Sequence, residues 1–162
     1  MTIFHFLREI RKKIYIALAD NPHLDQIKLN IYTQDQENAV YPCVLIKIKS
    51  IIPGFTAMPS YDLSFSIHII GNKHTYSLTA PEYILNALTL NSISSQNKIL
   101  TNLRDTKGSY QLMYLSHMGT YWEVGEDRFS IDTRMDYICN VVFEAVQEQD
   151  HINKPNNNNS IY

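Results

Sequence analysis

The sequence contains only two cysteines, Cys43 and Cys139, and they lie far apart along the chain. Their spacing matches no metal-binding pattern. A chain of 162 residues can bury a hydrophobic core without a disulfide or a structural metal. We therefore interpret both cysteines as buried, reduced thiols.

Long apolar runs are also missing, and no stretch approaches the roughly 20 residues that a membrane-spanning helix needs. The first residues, MTIFHFLREIRKK, place their charges after the apolar side chains, which reverses the order found in a secretory signal peptide. Hydrophobic residues make up 44% of the chain and charged residues 19%, a balance typical of globular proteins. We expect a soluble protein with no membrane partner that stays in the compartment where it is made.

The chain has no excess of positive charge, since its net charge is -2 at neutral pH. Wrapping nucleic acid over a broad face requires clustered lysine and arginine. One basic cluster exists, on the predicted first helix, and its alternative interpretations are a solvated helix face and a phosphate-binding patch. We favour the solvated face and predict no sequence-specific binding of nucleic acid. The cluster consists of Arg8, Arg11, Lys12 and Lys13, with Glu9 among them.

Catalytic and cofactor-binding motifs are absent as well. The sequence contains no GxGxxG, GxxxxGK[ST], HExxH, CxxC or GxSxG segment. Its six histidines are scattered, and no spacing among them makes a pair of metal ligands. We predict no catalytic residue, no metal site and no cofactor, and we expect a protein that is not an enzyme.

Hydrophobic periodicity predicts the secondary structure. Apolar residues recur every three or four positions over residues 3–19 and again over 80–90, which indicates two amphipathic helices. Alternation with a period of two predicts strands near 29–31, 44–48 and 62–70 and a long last strand from 129, with weaker signals at 99–103 and 110–117. The sequence therefore predicts an α+β fold whose mainly antiparallel sheet has two helices packed on one face.

We expect residues 1–146 to form a single domain, because no linker or internal repeat divides them. Residues 147–162 are polar and end in KPNNNN before the last few residues. Such a segment has too little apolar surface to offset the entropy of ordering. We predict that this C-terminal tail is disordered.

Two regions are candidates for an interface. In the last strand, the apolar side chains share one parity and charged residues of alternating sign occupy the other, an arrangement that suits contacts between copies in a closed ring. The alternative is a plain solvated face. The connection over residues 51–61 has side chains more apolar than a loop requires, which predicts docking on a neighbouring molecule, with core packing as the alternative. The candidates are Arg128, Asp132, Arg134 and Asp136 in the strand, and Phe55, Met58 and Tyr61 in the connection.

Taken in order, several segments resemble the tail-completion or tail-terminator family of long-tailed phages and gene transfer agents. They are IYIALADNPHL, IYTQDQENAVYPCVLIKI, LSFSIHIIGNKHTYSLTAPEYILNALT and FSIDTRMDYIC. The most specific is Ile31-Tyr32, a short loop, and then Tyr41-Pro42 leading into a strand. The resemblance covers about residues 5–143.

The resemblance implies a structural protein of the virion tail or neck. Six copies would form a ring that caps the tail tube, stops its polymerisation and docks to the connector on the head side. Its partners would be further copies of itself, the major tail tube protein and a head-completion or connector protein. Two alternatives from other classes are a small soluble enzyme with an unrecognised site and a monomeric binding module.

Overall fold

The computed structural model describes residues 3–33, 37–54, 60–89 and 110–143. These residues form an α+β fold with a five-stranded sheet, three α-helices and one short 3-10 helix, so the predicted fold class is confirmed. The predicted tail and the weak strand at 99–103 lie outside the described residues. In chain order, the elements are α1 (Ile3–Ala19), α2 (Pro22–Gln26), β1 (Asn30–Tyr32), β2 (Cys43–Pro53), β3 (Ser60–Lys73), the 3-10 helix (His74–Tyr76), α3 (Thr79–Thr89), β4 (Tyr110–Val124) and β5 (Ser130–Phe143).

The strands follow the order β1-β2-β3-β5-β4 across the sheet. The pairs β2-β3, β3-β5 and β5-β4 are antiparallel, and the short strand β1 runs parallel to β2. The sheet is therefore mainly antiparallel, as predicted, with one parallel pair. Strands β3 and β5 lie at its centre, and none of the described strands pairs with the outer edge of β4.

The hydrophobic core lies between the helices and one face of the sheet. Successive side chains of a strand point to opposite faces, so alternating apolar residues of β2, β3 and β5 all reach the helices. Cross-strand partners such as Ile46, Ile67 and Met135 stack in one row of this face. We call it the helix-covered face. Its buried strand residues are Val44, Ile46, Leu63, Phe65, Ile67, Ile69, Met135, Tyr137, Cys139 and Val141.

Helix α1 buries one stripe of side chains in this core, namely Phe6, Ile10, Ile14 and Leu18. The predicted helix over residues 3–19 is confirmed. The sequence Asp20-Asn21-Pro22 ends α1, and it also starts α2, which the periodicity does not reveal. The Asn21 side chain accepts hydrogen bonds from the backbone of His23 and Leu24, and Pro22 occupies the first turn, where its missing N–H costs nothing.

The predicted connection over residues 51–61 is wrong at both ends. Strand β2 continues to Pro53, and β3 begins at Ser60, so that Tyr61 pairs with Pro53 inside the sheet. Tyr61 is a half-buried strand residue and not part of a loop. Phe55 and Met58 lie outside the described residues.

Strand β3 also runs further than residue 70, where the sequence predicts its end. A β-bulge shifts its register against β5 between Ile69 and Asn72, and Gly71 adopts a left-handed conformation there with φ of 70°. The bulge lets the strand continue to Lys73 instead of ending at Gly71. It also turns Asn72 toward the helices, where its side-chain amide donates to the carbonyl of Tyr76 at 3.0 Å.

Strand β5 begins at Ser130, one residue after the predicted start at residue 129. Arg128 lies in the β4–β5 turn with φ of 60°, and Phe129 is 84% exposed. The predictions that Arg128 shares the polar face of the strand and that Phe129 shares its apolar face are therefore wrong. Gly125 and Ser130 close the turn through their backbones, which takes residues 126–129 out of the sheet.

Candidate functional site: the open face of the sheet

The second face of the sheet points away from all three described helices, and we call it the open face. Its centre is built from two rows of cross-strand neighbours. One row runs from Leu45 through His68 and Arg134 to Tyr121, and the next runs from Lys47 through Ser66 and Asp136 to Gly119. Four strands therefore bring charged, hydroxyl and aromatic side chains together on one surface.

A charged cluster of Lys49, Arg134 and Asp136 lies at this centre. One oxygen of Asp136, Oδ1, lies 3.4 Å from Lys49 Nζ and 3.3 Å from Arg134 Nε. The side chain of Asp136 is only 19% exposed, whereas those of Lys49 and Arg134 are each 47% exposed. Two cations thus share one carboxylate that lies beneath them, and the surface presented to solvent is basic.

Tyr121 and Gly119 hold Arg134 in place. The Tyr121 ring lies over Gly119, so closely that a Cβ on Gly119 would stand 2.8 Å from the tyrosine hydroxyl. The guanidinium carbon of Arg134 lies 4.6 Å from the centre of the Tyr121 ring, in the range of a cation–π contact. The absence of a side chain at Gly119 therefore lets an aromatic ring lie flat on the sheet beneath the arginine.

His68 lies on the open face as the cross-strand neighbour of Arg134. Its Nε2 lies 2.8 Å from the hydroxyl of Ser66, which is itself buried. Burial lowers the pKa of the His68 imidazole, and the charges of Lys47 and Arg134 lower it further. Asp136 opposes this shift but does not reverse it. The imidazole therefore lies near more cations than carboxylates, since Lys47, Arg134 and Lys49 act against Asp136 alone.

The β4–β5 turn projects beyond the end of the sheet and has a net negative charge, because Glu126 and Asp127 outnumber Arg128. Glu126 and Asp127 are both exposed there. Asp127 accepts hydrogen bonds from the backbone of Phe129 and Ser130 and from the Ser130 hydroxyl, at 3.0, 3.0 and 2.7 Å. These hydrogen bonds lower the pKa of Asp127, so the turn keeps its negative charge. We call residues 126–129 the acidic turn.

Strand β4 is a long edge strand with large exposed apolar side chains. Met118 is 62% exposed, and Tyr121, Trp122 and Val124 are exposed as well. The indole N–H of Trp122 donates to the carbonyl of Ser77 at 2.8 Å, which ties β4 to the turn before α3. Glu123 is the only aspartate, glutamate, lysine or arginine of the strand, whereas natural edge strands are commonly protected by charges or proline. Two β-bulges interrupt its pairing with β5, which protects the edge in part.

The structure brings together only some of the residues that the sequence nominated. Arg134 and Asp136 form an ion pair within one chain. Asp132 lies apart from them and accepts the backbone N–H of Gly71 at 2.9 Å, at the bulge of β3. Arg128 belongs to the acidic turn, and Tyr61 belongs to β3 far from the charged cluster.

Sequence reasoning missed the contributions of the neighbouring strands. Lys49 of β2 completes the charged cluster, and His68 of β3 and Tyr121 of β4 lie beside its Arg134. The alternation in β2 and β3 already placed Lys47 and His68 opposite the apolar parity. The missing information was the strand order, because only the order puts β3 between β2 and β5.

The described residues hold neither a metal-binding cluster nor an ionised thiol. They hold no group of three or more histidine, cysteine, aspartate or glutamate side chains placed to bind a metal ion. Burial raises the pKa of Cys139 to about 12 and also raises that of Cys43, so both thiols are protonated at neutral pH. In the described part of the chain, no helix is long and apolar enough to cross a membrane.

Comparisons with known proteins add no family to this geometry. No protein-family model matches the chain, and no curated protein matches it significantly.

Proposed function

We propose that this protein is a structural assembly protein of a phage or phage-like particle. In this proposal a homomeric ring of the protein, with six copies if the resemblance holds, caps the tail tube and joins it to the connector on the head side. The protein acts in the tail or neck of the particle. Its partners are its own copies, the major tail tube protein and the connector protein.

The observation that carries the proposal is the open face, together with the exposed side chains of β4. A sheet with helices on one side presents charged and aromatic residues on the other, and large exposed apolar residues line its edge. Surfaces of this kind mark sites of protein–protein contact. An assembly protein needs such surfaces more than it needs a reactive centre.

The test is the mass of the protein in solution. Light scattering and sedimentation velocity over a range of concentrations, alone and with purified tail tube protein, should show a closed species of defined size. The tube protein belongs in the experiment because assembly on a template stabilises weak contacts by mass action. A monomer under every condition, including excess tube protein, would contradict the proposal.

A further inference from the structure

The open face and the acidic turn have opposite charges, and one chain cannot bring them together. Arg134 lies four residues from Ser130, or roughly 13 Å along an extended strand, and the acidic turn lies beyond that residue. The turn leaves the end of the sheet, whereas the charged cluster lies at its centre. Any direct pairing between the two surfaces must therefore join two molecules.

We infer that the acidic turn of one copy docks on the charged cluster of the next copy, with Glu126 facing Lys49 and Arg134. This inference rests on the proposed function, because it names the contact by which the copies associate. The partner on the open face is a second copy of the same chain.

The geometry of each surface supports this contact. Lys49 and Arg134 already share the single carboxylate of Asp136, and about half of each cationic side chain remains exposed. Burial first, and then the charges of Lys47 and Arg134, lower the pKa of the neighbouring His68, so an acidic partner would meet more than one cation here. On the other side, Asp127 holds the acidic turn in one conformation through three hydrogen bonds, which limits the entropy lost on docking.

Phe129 adds an apolar anchor beside the charges. It is the most exposed of the large hydrophobic residues in the described part of the chain, with 84% of its surface accessible. Aromatic residues, phenylalanine included, are enriched in the buried cores of interfaces. Tyr121, which is 53% exposed next to Arg134, offers an aromatic surface on the receiving side.

The opposite charges of the two surfaces also restrict which surfaces of two copies can meet. A contact between two identical patches would place cation against cation or carboxylate against carboxylate. Pairing the turn with the cluster can occur twice between the same two copies, as in a two-fold dimer, or head-to-tail between successive copies, which produces a ring when the rotation closes and a filament when it does not. The charge distribution therefore disfavours contacts between two clusters or between two turns, and the mass of the assembly distinguishes a two-fold dimer from a ring.

The experiment exchanges the charges between the two surfaces. Glu126→Lys and Lys49→Glu should each weaken self-association at least about tenfold, because each variant places like charges together. Arg8→Glu, which changes an exposed cation of α1 by the same charge, is the matched control and should associate like the wild type. Unchanged far-UV circular dichroism and thermal midpoints would establish that the variants fold. Glu126→Lys is the cleaner variant, since Lys49→Glu also faces Asp136 within its own chain.

Mixing the two single variants provides the decisive measurement. Each contact in the mixture can then pair a lysine with a glutamate, so assembly should return only when both variants are present. Native mass spectrometry with one variant isotope-labelled should find equal numbers of the two in every closed species. If the wild type assembles and Glu126→Lys assembles equally well, this docking inference is wrong and the proposed function stands. A wild type that stays monomeric, even with tube protein, overturns both.

Discussion

The two faces of the central sheet are made from the same strands, yet they obey different rules. Each step of one residue along β3 crosses from a buried apolar side chain such as Ile67 to a partly exposed polar one such as His68. On the helix-covered face, the neighbours of a residue come from helices and strands packed in three dimensions. On the open face, the described neighbours come from the adjacent strands. The first face holds most of the hydrophobic core, and the second holds the polar and charged side chains of the same strands.

The largest expected effect on the free energy of unfolding comes from creating a cavity on the helix-covered face. Ile67→Ala should lower the free energy of unfolding by about 2 to 5 kcal/mol, because a fully buried side chain leaves a cavity. Ser64→Ala, on the open face of the same strand, should change it by less than about 0.5 kcal/mol. Urea denaturation of both variants measures the difference. Equal losses would show that the open face also belongs to the core.

A smaller effect is expected on the pH dependence of stability, through His68 on the open face. The pKa of His68 in the folded protein lies below its ordinary value because of burial, Lys47 and Arg134, while Asp136 opposes them and Lys49 adds to them. The unfolded chain therefore binds a proton first as the pH falls through about 6.5, and the folded state loses stability below that pH. His68→Gln should reduce this loss between pH 7.5 and pH 5, as measured by urea denaturation at each pH. Parallel curves for variant and wild type would contradict the shift.

The smallest effect is expected from a polar atom inside the core. Tyr137 stacks on Phe65 with ring centres 5.2 Å apart, and its buried hydroxyl has no hydrogen-bond partner among the described residues. Tyr137→Phe should leave the free energy of unfolding unchanged or raise it by about 1 kcal/mol, since it removes an unsatisfied buried group. Phe65→Leu is a useful contrast, because it disturbs the stack itself and should be destabilising. A clear loss of stability in Tyr137→Phe would mean that the hydroxyl has a partner in the folded protein.

The helix-covered face could be predicted from the sequence almost residue by residue. Periods of two and of three to four identify its members, because burial acts on each element separately. Ile67 and Ile69 are recognisable from β3 alone, and Ile10 and Ile14 from α1 alone. The fold class follows from the same signals.

The open face could be predicted only in part. Arg134 and Asp136 stand two residues apart, so their common face is visible in the sequence. Lys49 is 87 residues from Asp136, and no local pattern can pair residues that only the strand order brings together. The prediction for Arg128 is wrong for another reason. The alternation of residue types in the sequence continues to residue 128, but the backbone there belongs to a turn and not to the strand.

The bulge at Gly71 has a consequence for how the molecule tolerates change in chain length. The extra residue between Ile69 and Asn72 turns the end of β3 toward the helices, and one amide of Asn72 then holds the carbonyl of Tyr76, three residues before α3 begins. On the other face, Asp132 accepts the N–H of Gly71, so a charged residue of β5 secures the same irregularity. The position of the start of α3 relative to the sheet therefore depends on the number of residues in the bulge and not on how tightly nearby side chains pack. Enlarging or shrinking a nearby side chain leaves that register intact, whereas deleting a single residue there would point Asn72 to the opposite face and release the helix from its anchor.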